Sequence, residues 1–271
     1  MADSSRCLTT WHTHNHPELA ARKPDELFEP EFAKRYTRLQ KLLWKRIVSL
    51  HETLLTLEEL ADFPFEAIYP STRMSFWRLV VDNFRSMFCI TLHALTEDQV
   101  DGSHTLARFK NEIRKATWRE ASLREAFDMS LSECRFDDEI KSISRRMRDI
   151  RHHRVAHLLV DHSTGGLKGV MEGVSLEEQR RLFTAVHALF GILSFGASYV
   201  TLTWDLVPST TGGKSNQSCL TSVLDSVLKD CYIVNQPEIR ADWWKGEREY
   251  IKPQELELMN QLRARVGKPP A

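Results

Sequence analysis

From residue 31 onward, apolar residues recur with a helical period. Phe32, Tyr36, Leu39, Leu43, Ile47, Leu50 and Leu54 follow one another at steps of three or four, with Lys34, Lys41, Lys45 and Glu52 between them. That spacing puts one apolar stripe on a long amphipathic helix. Pro64 and Pro70 close it, and Ser71 or Thr72 can cap the next helix. The second stripe reads Met74, Trp77, Val81, Phe84, Phe88, Leu92 and Leu95. After a turn near Thr96 to Ser103, a third segment carries Leu106, Phe109 and Ile113. A fourth runs from about Asp137 to Val160 on Ile140, Ile143, Met147 and Ile150. Ser175 then opens a fifth helix, with Glu178 in the capping-box position. A short helix around Leu220 to Leu228 and a tail helix from about Pro253 to Arg265 complete the chain. No alternating run makes a convincing strand, so the pattern predicts an all-α helical bundle.

The stretch from Leu182 to Trp204 has no charged side chain and is long enough to span a membrane. It also holds His187, Gly191, Ser194, Gly196, Ser198, Thr201 and Thr203, and it follows a capping box. The expectation is a buried central helix, apolar all round because the bundle surrounds it. A membrane anchor is the alternative.

Composition narrows the function classes. Lys plus Arg and Asp plus Glu are both 37, so the formal net charge is zero. A broad basic surface for nucleic acid would leave a positive excess, so any such contact comes from a local patch. Gly and Pro are scarce, at 11 and 10 residues, which suits long helices with few turns. The five cysteines are widely spaced with no C-x-x-C, which argues against a disulfide scaffold or a zinc ribbon. Met1 to Pro17 has no apolar core of a secretory signal, and a reducing, cytoplasmic setting is expected. Residues 1–30 lack periodicity and read as a flexible arm, residues 31–207 as a helical domain, and residues 208–271 as a loop with a C-terminal helical extension. His12, His14 and His16 alternate in the arm, where they read as a solvated tail rather than a metal site. Gly213-Lys214-Ser215 resembles the end of a phosphate loop, but residue 208 is proline where the first glycine belongs, and no strand precedes it.

The candidate chemistry sits in Arg151-His-His-Arg-Val-Ala-His157. Continued at about 100° per residue, the stripe of Ile140, Ile143, Met147 and Ile150 meets Arg154 near its centre, with Arg151 and His157 on either side. His152 points away, and His153 lies nearer the edge. Three basic groups where apolar residues belong need acids, an aqueous cleft or an anionic ligand. Glu97, Asp98 and Asp161 are candidate acids for an internal salt-bridge network. His153 and His157 also stand at i, i+4, but the Glu of a metalloprotease motif is missing and the arginines repel a cation. No metal and no cofactor are expected.

This segment resembles the R-x(4–6)-H signature of the HEPN superfamily, the higher eukaryotes and prokaryotes nucleotide-binding domain. His152 matches the polar residue after the arginine, and Val155-Ala156 match the small or apolar residues before the histidine. Two long helices, Ile90-Thr-Leu-His-Ala-Leu-Thr-Glu-Asp, the segment from Leu106, the motif and a further apolar helix follow the order of the abortive-infection branch. The similarity covers roughly residues 31 to 205. Residue 159 is leucine where one toxin branch carries tyrosine, so that branch's regulation is not carried over. The resemblance implies a HEPN-like four-helix core with extra helices, paired as a homodimer across the motif helices. It further implies a metal-independent endoribonuclease of a defence or toxin–antitoxin system, with Arg151 and His157 catalytic, RNA as substrate and an antitoxin protein as a candidate partner. Arg154 and His152 are added as substrate-binding candidates. A non-catalytic module binding RNA, a nucleotide or a protein in the same cleft is the alternative.

Overall fold

The computed structural model describes residues 7–9, 19, 21–63, 65, 75–96, 104–150, 174–196, 200–202, 219–229 and 253–270. Among them the chain is all-α, apart from two three-residue strands, β1 (Cys7–Thr9) and β2 (Val200–Leu202), which pair antiparallel. The helices are α1 (Pro24–Leu27), α2 (Pro30–Ala61), α3 (Ser75–Thr96), α4 (Leu106–Lys115), α5 (Ala121–Ser132), α6 (Phe136–Ile150), α7 (Leu176–Ile192), α8 (Cys219–Lys229) and α9 (Pro253–Arg265). They fall into two compact units, one of Met1–Leu55 with Phe84–Thr203, the other of Thr56–Asn83 with Trp204–Ala271.

In the first unit, α2 begins on Pro30, whose fixed φ and missing N–H suit a first helical position. Its predicted stripe is the buried face: Tyr36, Leu39, Leu43, Ile47, Leu50 and Leu54 are all inside. In α4 the same holds for Leu106, Phe109 and Ile113, and the Thr105 side chain caps the helix by accepting from the Arg108 N–H. Ile140 and Ile143 of α6 and Phe88, Leu92 and Leu95 of α3 are buried as their spacing requires.

The stretch read as a flexible arm contributes described residues to the core. Leu19, Leu27 and Phe28 are fully buried. Phe28 packs edge-on against Trp118 with ring centroids 4.8 Å apart, and the Arg119 N–H donates to the Leu27 carbonyl at 2.9 Å. Burying such a phenyl ring contributes about 2 kcal/mol toward ordering a segment that has no periodicity of its own.

The apolar run from Leu182 is not one helix. α7 stops at Ile192, Gly196 turns the chain at φ 66°, and β2 begins at Val200. The turn is held by one side chain distant in sequence and one local to it. The Tyr36 hydroxyl donates to the Leu193 carbonyl, and the Ser194 hydroxyl donates to the Phe190 carbonyl. The helical part is buried as expected, through Leu182, Phe183, Val186, Leu189 and Phe190. No helix among the described residues is long and apolar enough to cross a membrane.

In the second unit, Phe63 and Phe65 pack together, and Phe65 meets Trp77. Helix α8 buries Leu224, Asp225 and Leu228, while α9 buries Met259, Leu262 and Arg263. The Arg265 guanidinium bonds Asp225 at 2.7 Å and lies over the Phe63 ring.

Candidate functional site

Helix α6 leads directly into the Arg151–His157 segment. It starts with the acidic run Asp137, Asp138 and Glu139, which suits the positive end of a helix dipole. Ile140 and Ile143 turn inward, and one flank meets α7. Two ion pairs define that meeting. Arg181 bonds Glu139 at 2.9 Å, and Arg146 bonds Glu178. Moving along α6 from 139 to 146 means moving back along α7 from 181 to 178. The two helices are therefore antiparallel.

Glu178 is the point where local and tertiary structure meet. Its carboxylate accepts from the Ser175 backbone N–H at 2.8 Å, while the Ser175 hydroxyl accepts from the Glu178 N–H at 3.1 Å. This completes the capping box predicted from Ser175 and Glu178. The Arg146 guanidinium and the Ser175 N–H together hold the Glu178 carboxyl below the usual glutamate range. One carboxylate thus caps α7 and clasps α6.

Several other described cations of this unit are likewise matched by acids. Lys110 bonds Asp137 at 3.0 Å, Arg114 bonds Asp128 at 3.3 Å, and Arg35 and Arg108 both bond Glu112. A guanidinium already facing a carboxylate has little left for a phosphate.

A groove of about 390 Å³ opens between the end of α5, the start of α6 and the outer face of α7. Phe136, Ala185, Ala188 and Ile192 line it, with the Glu139–Arg181 pair and Cys134 also present. Burial pushes the Cys134 thiol up, and Asp137 adds to this against the opposing Phe136 N–H and Lys110. At neutral pH the thiol stays protonated and weakly nucleophilic. The groove offers apolar surface rather than a catalytic constellation.

The sequence-selected residues Arg151, His152, Arg154 and His157 lie outside the described residues, as do His153 and the candidate acids Glu97, Asp98 and Asp161. His12, His14, His16 and Gly213 to Ser215 lie outside them too. Among the described residues, no group of three His, Cys, Asp or Glu side chains could hold a metal ion. The Arg146–Glu178 clasp was not legible in the sequence, although the helix that carries Arg146 and the capping box of Glu178 were. Comparison with family models, with curated proteins and with solved structures finds no match.

Proposed function

We propose that this chain is a cytoplasmic, metal-independent endoribonuclease of the HEPN kind, acting in a defence or toxin–antitoxin system. The observation that carries the reading is the segment Arg151-His-His-Arg-Val-Ala-His157, which follows on α6 without a break in sequence. The basic cluster therefore comes after a helix whose apolar stripe is anchored in the core through Ile140 and Ile143.

The proposed chemistry uses these residue types. A base takes the proton from an RNA 2′-OH, and that oxygen attacks the adjacent phosphorus. The bond from phosphorus to the 5′-oxygen breaks as an acid protonates the leaving oxygen. A 2′,3′-cyclic phosphate and a free 5′-hydroxyl result. Histidine titrates near neutrality and serves as the acid or the base, which gives His157 its role. Arg151 stays charged and grips phosphate oxygens as negative charge accumulates. Arg154 and His152 are proposed to contact the substrate. A homodimer would bring two copies of the pair to one cleft, placing groups on both sides of a phosphate.

A second reading, a non-catalytic module that binds RNA, a nucleotide or a protein in the same cleft, draws on the zero net charge and the paired cations around α6 and α7. The experiment that separates the two is incubation of the full chain with single-stranded RNA in excess EDTA, followed by mapping of the new ends. Cyclic phosphate ends that disappear in His157→Ala support the endoribonuclease. Arg151-dependent binding without cleavage supports the module.

A further inference from the structure

Between Glu31 and Glu52, α2 carries six lysines and arginines and no acid. Two of the six turn to neighbours: the Arg35 guanidinium bonds Glu112, and Arg46 donates to the His104 carbonyl at 3.1 Å. The other four, Lys34, Arg38, Lys41 and Lys45, are exposed, and none of them meets a carboxylate among the described residues. At about 100° per residue they fall within an arc of about 60°, opposite the buried stripe of Tyr36, Leu43 and Ile47. The result is a single row about 17 Å long, with steps of about 4.5–6 Å along the helix axis. Like charges four residues apart, as in Lys34 with Arg38 and Lys41 with Lys45, destabilise a helix slightly. The row therefore does nothing for the fold, unlike Lys110, Arg114, Arg146 and Arg181, each of which faces an acid.

We propose that the row of Lys34, Arg38, Lys41 and Lys45 on α2 is a docking surface for the phosphate backbone of single-stranded RNA. The rise from one cation to the next is on the order of the step between neighbouring phosphates along a strand. One straight row on a convex helix follows one strand, and the second phosphate row of a duplex finds no counterpart on this face of α2. A lipid surface fits less well, because a membrane-binding helix inserts an apolar face, and that face of α2 is already in the core. Glu31 and Glu52 close the row at its two ends, which limits it to about four phosphates. Contacts of this kind read no base, so many sequences are held alike. The choice of RNA rests on the endoribonuclease reading, whereas the choice of a phosphate polymer rests on the row itself.

The test uses the full chain and a fluorescent 2′-O-methyl uridine oligomer of about twenty nucleotides, with affinity read by anisotropy across a salt series. The oligomer stays single-stranded and has no 2′-OH to be cleaved by the route proposed above. Each phosphate neutralised on a single strand contributes about −0.7 to the slope of log K against log salt. Lys34→Gln, Arg38→Gln, Lys41→Gln and Lys45→Gln together should make the slope shallower by about 2.8 and weaken binding at least about tenfold at low salt. Glutamine is a good helix former, so α2 is expected to persist. A matched control, Arg78→Gln with Arg85→Gln, Lys115→Gln and Arg124→Gln, changes the net charge equally at exposed positions of α3, α4 and α5. It should leave the slope near wild type. If the fourfold variant does not fold, Arg38→Gln alone takes its place, with a slope shallower by about 0.7.

A row variant with the wild-type slope overturns the proposal. So does a control that loses as much, which would mark a response to net charge alone. Row-dependent binding to phosphatidylserine vesicles, with none to the oligomer, assigns the surface to a membrane and also overturns it. Cleavage of ordinary RNA is scored separately: its absence in the wild type sinks the endoribonuclease reading, and the docking measurement stands or falls by itself.

Discussion

The backbone N–H of Phe195 donates to the hydroxyl of Tyr36 at 2.8 Å, across 159 residues of chain. The same hydroxyl donates to the Leu193 carbonyl at 2.7 Å, and the Tyr36 ring stacks on Phe195 with centroids 5.6 Å apart. A helix end leaves carbonyls without intrahelical partners, and the chain leaving it needs partners of its own. One tyrosine on α2 answers both needs at the end of α7, in a fully buried position.

Tyr36→Phe keeps the ring and removes the oxygen, leaving a carbonyl and an N–H to find new partners without water. The expected loss is about 2–3 kcal/mol in urea unfolding, from one hydrogen bond made and one accepted at a buried site. A midpoint equal to wild type would show that the end of α7 is held by other means.

Gly196, the next residue after Phe195, has φ 66°. A Cβ there would stand 2.8 Å from both the Arg22 carbonyl oxygen and the Lys23 Cα. Gly196→Ala therefore combines a left-handed backbone penalty of about 1–2 kcal/mol with a clash against main chain that cannot swing aside. A fall of at least about 2 kcal/mol in unfolding free energy is expected. A stabilised Ala variant would contradict the close approach of residues 22–24.

These two positions show why some of the fold was legible in the sequence and some was not. The stripe of α2 and the capping box of α7 are local, carried by residues three or four apart. The end of α7 is not local: Leu193 and Phe195 are as apolar as the helix before them, and the groups that stop it come from Tyr36 and from the backbone of residues 22–23. Phe28 was assigned to the arm for the same reason, since its partners Trp118 and Phe195 are far along the chain. Helix α5 went unread because its buried face carries Ser130 beside Leu123 and Phe127. The Ser130 hydroxyl is satisfied by the Ala126 carbonyl, which makes a polar residue serve as core. Of the candidate site, the lead-in helix and its apolar stripe were legible from Ile140 and Ile143. The clasp to Glu178 was not, because no spacing rule links residues 32 apart.

The Glu178 carboxyl gives the α6–α7 clasp a pH signature. Its folded-state pKa is lowered by Arg146 and by the Ser175 N–H. The stabilisation is therefore present above the unfolded value, about 4.3, and is lost as pH falls through the folded value. Glu178→Gln should be less stable than wild type near pH 7, by roughly 0.5–1 kcal/mol for a partly exposed pair. The gap should close as the pH falls through the folded-state value and the carboxyl takes up its proton. A gap that stays constant across this range would separate the capping role of residue 178 from its charge.

In the second unit, Asp225 is buried and receives the Arg265 guanidinium at 2.7 Å, while that guanidinium covers Phe63. Arg265→Ala removes a charge-assisted hydrogen bond and the cover over the ring together. The expected cost is about 1.5–3 kcal/mol, read by thermal unfolding. Arg265→Lys should recover little, since a lysine ammonium reproduces neither the planar fork nor the stacking over Phe63.

The catalytic proposal predicts a division between two kinds of loss. His157→Ala removes a proton-transfer group, so the cleavage rate in EDTA should fall on the order of 10²–10⁴-fold. Arg151→Ala removes charge stabilisation of the phosphorane, a loss on the order of 10²–10³-fold. His152→Ala, the loss of a proposed substrate contact, should matter less than either, and His153→Ala should also leave most of the rate. Arg154→Ala should raise KM more than it lowers kcat if its part is to hold phosphate in ground state and transition state alike. Because His157 serves as acid or base, the wild-type pH–rate profile should bend near the histidine range, around 6.5, and that bend should vanish in His157→Ala. Cleavage that EDTA abolishes would instead indicate a metal reaction through His153 and His157. A rate unaffected by both Arg151→Ala and His157→Ala would place the chemistry elsewhere in the chain.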